Sequence, residues 1–323
     1  MSWRPDVNGL AAIVRKELAD HFSSYRFVIL FALIAMVSLI TAYMVGLRIR
    51  GAEGELKPQF VFLMIFAERG AMFSLVEFVA FFGPLVGLVL GFDAINRERN
   101  EGTLSKILAQ PIYRDVVING KFLAGVIMIA VLLTAIVLVI TGLGLAVVGV
   151  VPGAEELLRV AVYLVVSIVY VALWLGVAIL FSILFRSTAT SALAALAVWI
   201  FFSFFVTIGA SILANTLLGQ AADLKPEAAM RKIAAVRQVV LLSPMELYSE
   251  ATATVIDPMR RSARSFIPGG PLEALSMTRF SGPLAFDQSL LLVMPHIISL
   301  LAVTVVCFAV SYTVFMRQEI RSL

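Results

Sequence analysis

Between Phe92 and Lys121 the chain reads FDAINRERNEGTLSKILAQPIYRDVVINGK, a mixed-charge segment set between two long apolar runs. Arg97, Glu98, Arg99 and Glu101 cannot lie in hydrocarbon, where an unpaired charge is expensive. Leu104, Ile107 and Leu108 follow at helical spacing and give a short helix one apolar face. Gly102 permits a sharp change of backbone direction, Thr103 can N-cap the next turn, and Pro111 disfavours helix at Gln110. The chemistry on offer is recognition and leverage rather than bond making. We expect Leu104, Ile107 and Leu108 to pack into a partner outside the bilayer, with Glu98, Arg99 and Glu101 orienting it by charged contacts. A turn lying on the membrane surface is the plainer alternative.

Reactive constellations are otherwise sparse. A phosphate-binding GxxxxGK[ST] loop is missing: the Gly120–Lys121 pair is followed by Phe122 and lacks the earlier glycine. If ATP drives this protein, another chain binds it. His21 and His296 are far apart, the single Cys307 sits in an apolar run, and no HExxH occurs, so we expect no catalytic residue, metal site or cofactor in this chain. Glu77 lies about a turn into an apolar run, where its carboxylate can still reach water. His296, after Pro295, suits either a packed position or a place against a cavity. Gly83 and Pro84 offer either a flexible point or a fixed kink.

The elements that must position these residues are membrane helices. With 61% hydrophobic and 14% charged residues and a mean hydropathy of +0.99, the 323-residue chain is not an ordinary soluble protein. The net charge of +4 is what loop bases beside a bilayer produce, and no nucleic-acid partner is expected. Six apolar runs reach the roughly 20 residues needed to cross: 27–47, 74–92, 122–150, 160–185, 190–218 and 289–316. The first is a retained span, since the polar stretch before it is too long for a signal peptide. Bases cluster before the first span, between the second and third, and after the last, which predicts both termini in the cytoplasm. Arg159 is counted on the opposite side, and the long fifth loop is set aside.

Residues 8–24 place Leu10, Ile13, Val14, Leu18 and Phe22 on one face, as an interfacial helix would. The apolar stretch 60–67 is too short to span and suits an interfacial or re-entrant segment. Within loop 219–287, helix is predicted from Pro226 through Val240 and again after Ser243, with Pro244 in the first turn and Glu246 completing a capping box. In the fifth span Trp199, Phe201, Phe202, Phe204 and Phe205 interleave with Ser203 and Thr207, fitting a path or dimer wall as well as lipid packing.

These features together resemble the type-2 ATP-binding-cassette permeases, in the branch associated with multicopper-enzyme maturation. The resemblance covers nearly the whole chain and rests chiefly on Asn96–Pro111, NRERNEGTLSKILAQP. Arg15, Lys16, Glu17 and Leu18 also fit the family's elbow helix, and Leu242, Ser243 and Pro244 and then Arg317, Gln318 and Glu319 match more weakly. The resemblance implies an all-α permease in the plasma membrane, a prokaryotic inner membrane, forming one domain over 1–323. It implies an elbow helix (8–24), a cytoplasmic coupling loop (93–121) and an extracytoplasmic helical loop (219–287). Two permeases, identical or related, would each receive a separate ATPase that binds ATP and Mg and docks on Arg97, Glu98, Arg99, Glu101, Gly102, Thr103, Leu104, Ile107, Leu108 and Pro111. Export would follow a path at Trp199, Phe202, Ser203, Thr207 and His296. An ion-coupled secondary transporter and a noncatalytic scaffold remain as alternatives, the first resting on Glu77 and His296.

Overall fold

The computed structural model describes residues 7–51, 60–68, 74–104, 113–218, 234, 236–260, 280 and 282–318. The chain opens with α1 (Val7–Phe22), turns at Ser23 and continues as α2 (Tyr25–Gly51). There follow the short α3 (Val61–Ala67), then α4 (Leu75–Gly91), the one-turn α5 (Asn96–Asn100), α6 (Arg114–Val148) and α7 (Ala154–Leu184). The next helix runs from α8 (Thr188–Ile200) through a π turn (Phe201–Phe205) into α9 (Val206–Leu218). Finally come α10 (Pro244–Ile256) and α11 (Phe286–Arg317), and no strand occurs among the described residues.

Six helices are long and apolar enough to cross a bilayer: α2, α4 continued into α5, α6, α7, α8 continued past the π turn, and α11. They coincide with the six predicted runs, and the chain is an all-α, multi-pass membrane protein. Residues 8–24, predicted as an interfacial helix, are helical through Phe22 as α1. Two starts are earlier than hydropathy placed them: α6 begins at Arg114 rather than near Phe122, and α7 at Ala154 rather than near Val160. A boundary drawn where charge begins excludes any charge that the fold compensates. Here it excludes Lys121 and Arg159, both of which are buried.

α7 is the axis of the bundle, packed along α4 and α11 and also touching α6, α8 and α10. α4 approaches it closely because Gly83, Gly87 and Gly91 recur every fourth residue on the facing side. A Cβ at Gly87 would stand 2.6 Å from the Val171 carbonyl oxygen, and one at Gly91 2.7 Å from the Ala178 Cβ. Pro84, which has no N–H, leaves the carbonyl of Ala80 without its helical partner. The Tyr170 hydroxyl donates to that oxygen at 2.7 Å. The Gly83–Pro84 step is thus a packed, hydrogen-bonded feature of α4 rather than a slack one.

α10 lies inside the bundle rather than apart from it. Tyr248 stacks on Tyr170, halfway along α7, with centroids 4.4 Å apart, and its hydroxyl lies 2.8 Å from Ser167 Oγ. The far end of α10 meets the beginning of α7. Pro244 occupies its first turn as predicted, but the Ser243 side chain makes no capping bond. α3 is likewise internal, with Phe62, Leu63, Ile65 and Phe66 almost fully covered.

Candidate functional site

The root of the charged segment is built at the end of the bundle that carries α1 and the end of α11. Ser182 on α7 accepts the backbone N–H groups of Ile95 and Asn96 at 2.9 and 3.1 Å, which fixes where α5 starts. Lys121 Nζ, almost wholly buried, donates to Glu17 Oε1 at 2.8 Å and to Glu98 Oε1 at 2.9 Å. Lys16 Nζ reaches the same two oxygens at 3.0 and 2.8 Å. Two lysines and two carboxylates from α1, α5 and α6 therefore form one compensated network, which a buried charge requires. Burial alone would raise the Glu17 carboxyl, but Lys121 and then Lys16 outweigh it and hold that carboxyl below the usual range.

Further pins surround this network. Arg99 Nη2 donates to Gln318 Oε1 at 2.6 Å, Arg114 Nη1 to the Gln318 carbonyl at 3.1 Å, and Gln318 Nε2 to the Ile183 carbonyl at 2.8 Å. Gln318 thereby ties the end of α11 to α5, α6 and α7. Asn100 Nδ2 donates to the Arg186 carbonyl at 3.2 Å. Gly102 adopts φ +68°, the left-handed backbone expected at the change of direction. Beside the network opens a cavity of about 740 Å³ lined by α1, α5 and the adjoining ends of α2, α4, α6 and α7.

A second hub lies at the opposite end. Arg159 on α7 is 0% exposed. Its guanidinium donates to Glu155 Oε1 at 2.8 Å, to the carbonyls of Thr254 and Val255 at 3.2 Å, to Ser289 Oγ at 3.1 Å and to the Leu284 carbonyl at 2.7 Å. The rings of Phe60 and Phe286 flank it with centroids 5.4 and 5.8 Å away. One side chain thus caps the last turn of α10 and fixes the approach to α11. It is a structural anchor, not the loop base that the charge count assumed.

Along the fifth span the π turn sorts its side chains. Phe201 and Phe205 stack outward, exposed, while Trp199, Ser203 and Thr207 are buried facing the bundle, with Phe202 partly buried between. Trp199 Nε1 and Ser203 Oγ have no protein partner among the described residues, nor have Ser243 Oγ and His296 Nδ1. The π turn packs on α10, where Arg237 pairs with Glu250 at 3.5 Å.

Several predicted residues sit differently from expectation. Leu104, expected to enter a partner, is 1% exposed and belongs to the chain's own core. Glu98, expected to orient a partner at the surface, is turned inward onto Lys16 and Lys121. The Thr103 hydroxyl donates back to the Glu98 carbonyl at 3.2 Å. Arg97 and Glu101 are exposed and paired at 3.0 Å, and Ile107, Leu108 and Pro111 lie outside the described residues. In the elbow, Arg15 is exposed, Leu18 packs on the core and Glu17 is buried. Glu77 forms a reciprocal capping box with Ser74 at the start of α4. The sequence reading passes over Tyr170 and gives Lys121, Arg159 and Gln318 no part in the packing; a charge at the edge of an apolar run is the available signal for Lys121 and Arg159.

The fold and this site define a multi-pass, all-α membrane protein whose charged connection is clamped to α1, and comparison with known proteins names its class. The family model for ABC-2 family transporter proteins matches residues 11–320. The chain belongs to that family and is a transmembrane permease subunit of an ABC transporter. It is 27% identical over 243 residues to a protein of Pseudomonas aeruginosa described as a probable ABC transporter permease protein NosY, covering 73% of this chain and 78% of that one. A protein of Stutzerimonas stutzeri with the same description is 33% identical over 116 residues, 36% of this chain and 38% of its own.

Proposed function

We propose that residues 93–121 couple this permease to a separate cassette ATPase, two of which act on a pair of permeases, and that the coupled motion drives export. In this reading the end bearing α1, α5 and Gln318 faces the cytoplasm of a bacterial inner membrane, with both termini there. The single observation that carries the proposal is the clamped root of the segment. Ser182, the Lys16–Glu17–Glu98–Lys121 network and Gln318 link α5 to α1, α6, α7 and α11, so a push on the segment is delivered to four helices at once. ATP and Mg belong to the partner, and this chain supplies leverage and the membrane path. The buried face of Trp199, Ser203 and Thr207, with Phe202 beside it and His296 on α11, is the wall we assign to that path, because the unpartnered polar atoms of Trp199, Ser203 and His296 in a membrane bundle suit a passing ligand or water.

The test is co-purification from the native host in mild detergent. Wild-type chain should retain a stoichiometric cassette ATPase, and Arg97→Glu combined with Leu108→Asp should release it while the permease remains monodisperse. Leu104→Asp is unsuitable, because that side chain is in the core. A folded wild-type chain that retains no ATPase would overturn the coupling assignment.

A further inference from the structure

Four carboxylates are buried among the described residues, and three of them have donors. Glu17 and Glu98 face Lys16 and Lys121, while Glu156 accepts the backbone N–H groups of Phe62 at 3.2 Å and Gly153 at 2.9 Å. Glu246, in the first turn of α10 and 9% exposed, has none. The capping box that its position suggests does not form, since the Ser243 N–H goes to the Val240 carbonyl at 2.9 Å. The charge that acts on Glu246 is a second carboxylate, Glu250. Residues four apart on one helix have Cβ atoms roughly 5–6 Å from each other. Arg237 pairs with Glu250 at 3.5 Å and leaves Glu246 without a base. An ionised carboxylate is costly in such surroundings, and protonation relieves the cost. Burial first, and then the Glu250 charge, push the Glu246 carboxyl up to about 7. Its oxygens, unlike Glu98 Oε2, are not sealed off, so water reaches them.

We propose that Glu246 is a proton-binding site of the permease, holding one proton inside the bundle and exchanging it with water. An ionisable side chain placed within a membrane bundle without a counter-charge is the kind of group that does this. The neighbouring elements supply no base that would hold it ionised. α7 brings Tyr163 and Tyr170, and Arg159 only at the far end of α10. His296 on α11 lies within range of Glu250 and Arg237 rather than of Glu246. Glu77 on α4 stands beside Ser249 and Thr252, further along α10, and α3 and the π turn bring no titratable group. Release of the proton to water leaves a carboxylate, and the group formed by Glu246, Glu250 and Arg237 goes from neutral to one negative charge. The stretch before α10 packs on the fifth span through Val236, Val240 and Ala210. Charge gained in the first turn of α10 therefore works against its fit beside that span, and proton loading favours the packed bundle. The inference is independent of the cargo and of which ATPase binds.

The full-length chain in detergent would be treated with dicyclohexylcarbodiimide, which reacts with protonated carboxyls, and the modified residues located by peptide mass spectrometry. Between about pH 8 and about pH 6 we expect labelling of Glu246 to rise about tenfold, the change in protonated fraction of a group titrating near 7, while the exposed Glu101 stays unlabelled at both. A carboxyl whose affinity for protons rises on folding contributes stability that is lost as pH climbs through that range. The wild-type denaturation midpoint should therefore fall about 2 °C further between those two pH values than that of Glu246→Gln, which keeps the volume and stays neutral. His21 and His296 are common to both chains and cancel. The labelling arm uses the unaltered chain and decides alone where the variant does not fold. Equal labelling at the two pH values, no labelling of Glu246 in the folded chain, or the same pH dependence of both midpoints would overturn the site. Protection from the carbodiimide by added sodium or potassium at both pH values would give the carboxylate to a metal cation instead, and would overturn it as well.

Discussion

Arg159 shows how much one buried side chain can hold. A guanidinium has five N–H donors, and all of its directions are occupied by Glu155, Ser289 and three backbone carbonyls from α10 and the approach to α11. Those carbonyls would otherwise be orphaned at the ends of packed elements. Arg159→Met keeps most of the volume and removes every donor. We expect a loss of about 3–5 kcal/mol, the range for breaking a buried ionic contact on one side, read as a lowered denaturation midpoint in detergent. Arg159→Lys should recover only part of it, since an ammonium cannot span carbonyls on both sides of the fork. An unchanged midpoint for Arg159→Met would show that α10 is held in place without this anchor. Glu98 and Lys121 make the complementary point, because each is buried only by virtue of the other and of Glu17 and Lys16.

Among the elements, the α4–α7 pair is the most constrained. Its approach depends on Gly83, Gly87 and Gly91, and its irregular point, Pro84, is made good by a hydroxyl from α7. Gly87→Ala would drive a methyl group into the Val171 carbonyl and the Leu175 amide, both backbone atoms that move only with the helix. The expected cost is about 1–3 kcal/mol. Gly142→Ala on α6, where nothing stands within 4 Å, is the matched control and should leave stability and ATPase coupling unchanged. Equal behaviour of the two variants would mean that the helices separate readily. The π turn in the fifth span works by a different principle. One extra residue in the turn rotates the register, so that aromatic rings face outward at Phe201 and Phe205 while Trp199 and Ser203 face inward.

For the whole molecule, the consequence of an even number of spans is a two-ended machine. One end gathers the elbow, the charged segment and Gln318 in a polar, ion-paired assembly, and the other is closed over Arg159 and α10. With the single Cys307 replaced by Ser, Arg15→Cys and Val151→Cys place labels on exposed residues at opposite ends. In intact spheroplasts an impermeant maleimide should modify Val151→Cys and leave Arg15→Cys unlabelled until lysis. The reverse pattern would invert the orientation and remove the charged segment from reach of a cytoplasmic ATPase.

Membrane class, six spans, the helix α1 and the turn at Gly102 were legible in the sequence because each depends on local composition or on a local backbone preference. A run of about 20 apolar residues partitions into hydrocarbon whatever its neighbours do, and a glycine is the residue that most readily accepts φ +68°. The charges at Lys121 and Arg159 obeyed a different rule. Hydropathy assigns a fixed cost to a cation, whereas the real cost depends on its partners, which for Lys121 include the Glu98 carboxylate 23 positions away and for Arg159 the Leu284 carbonyl 125 positions away. The same holds for Leu104, whose apolar face the sequence located but whose partner turned out to be the chain's own core. Periodicity shows that a face must be covered, and only the tertiary structure decides by what, because burial and ion pairing are properties of the neighbours that folding assembles.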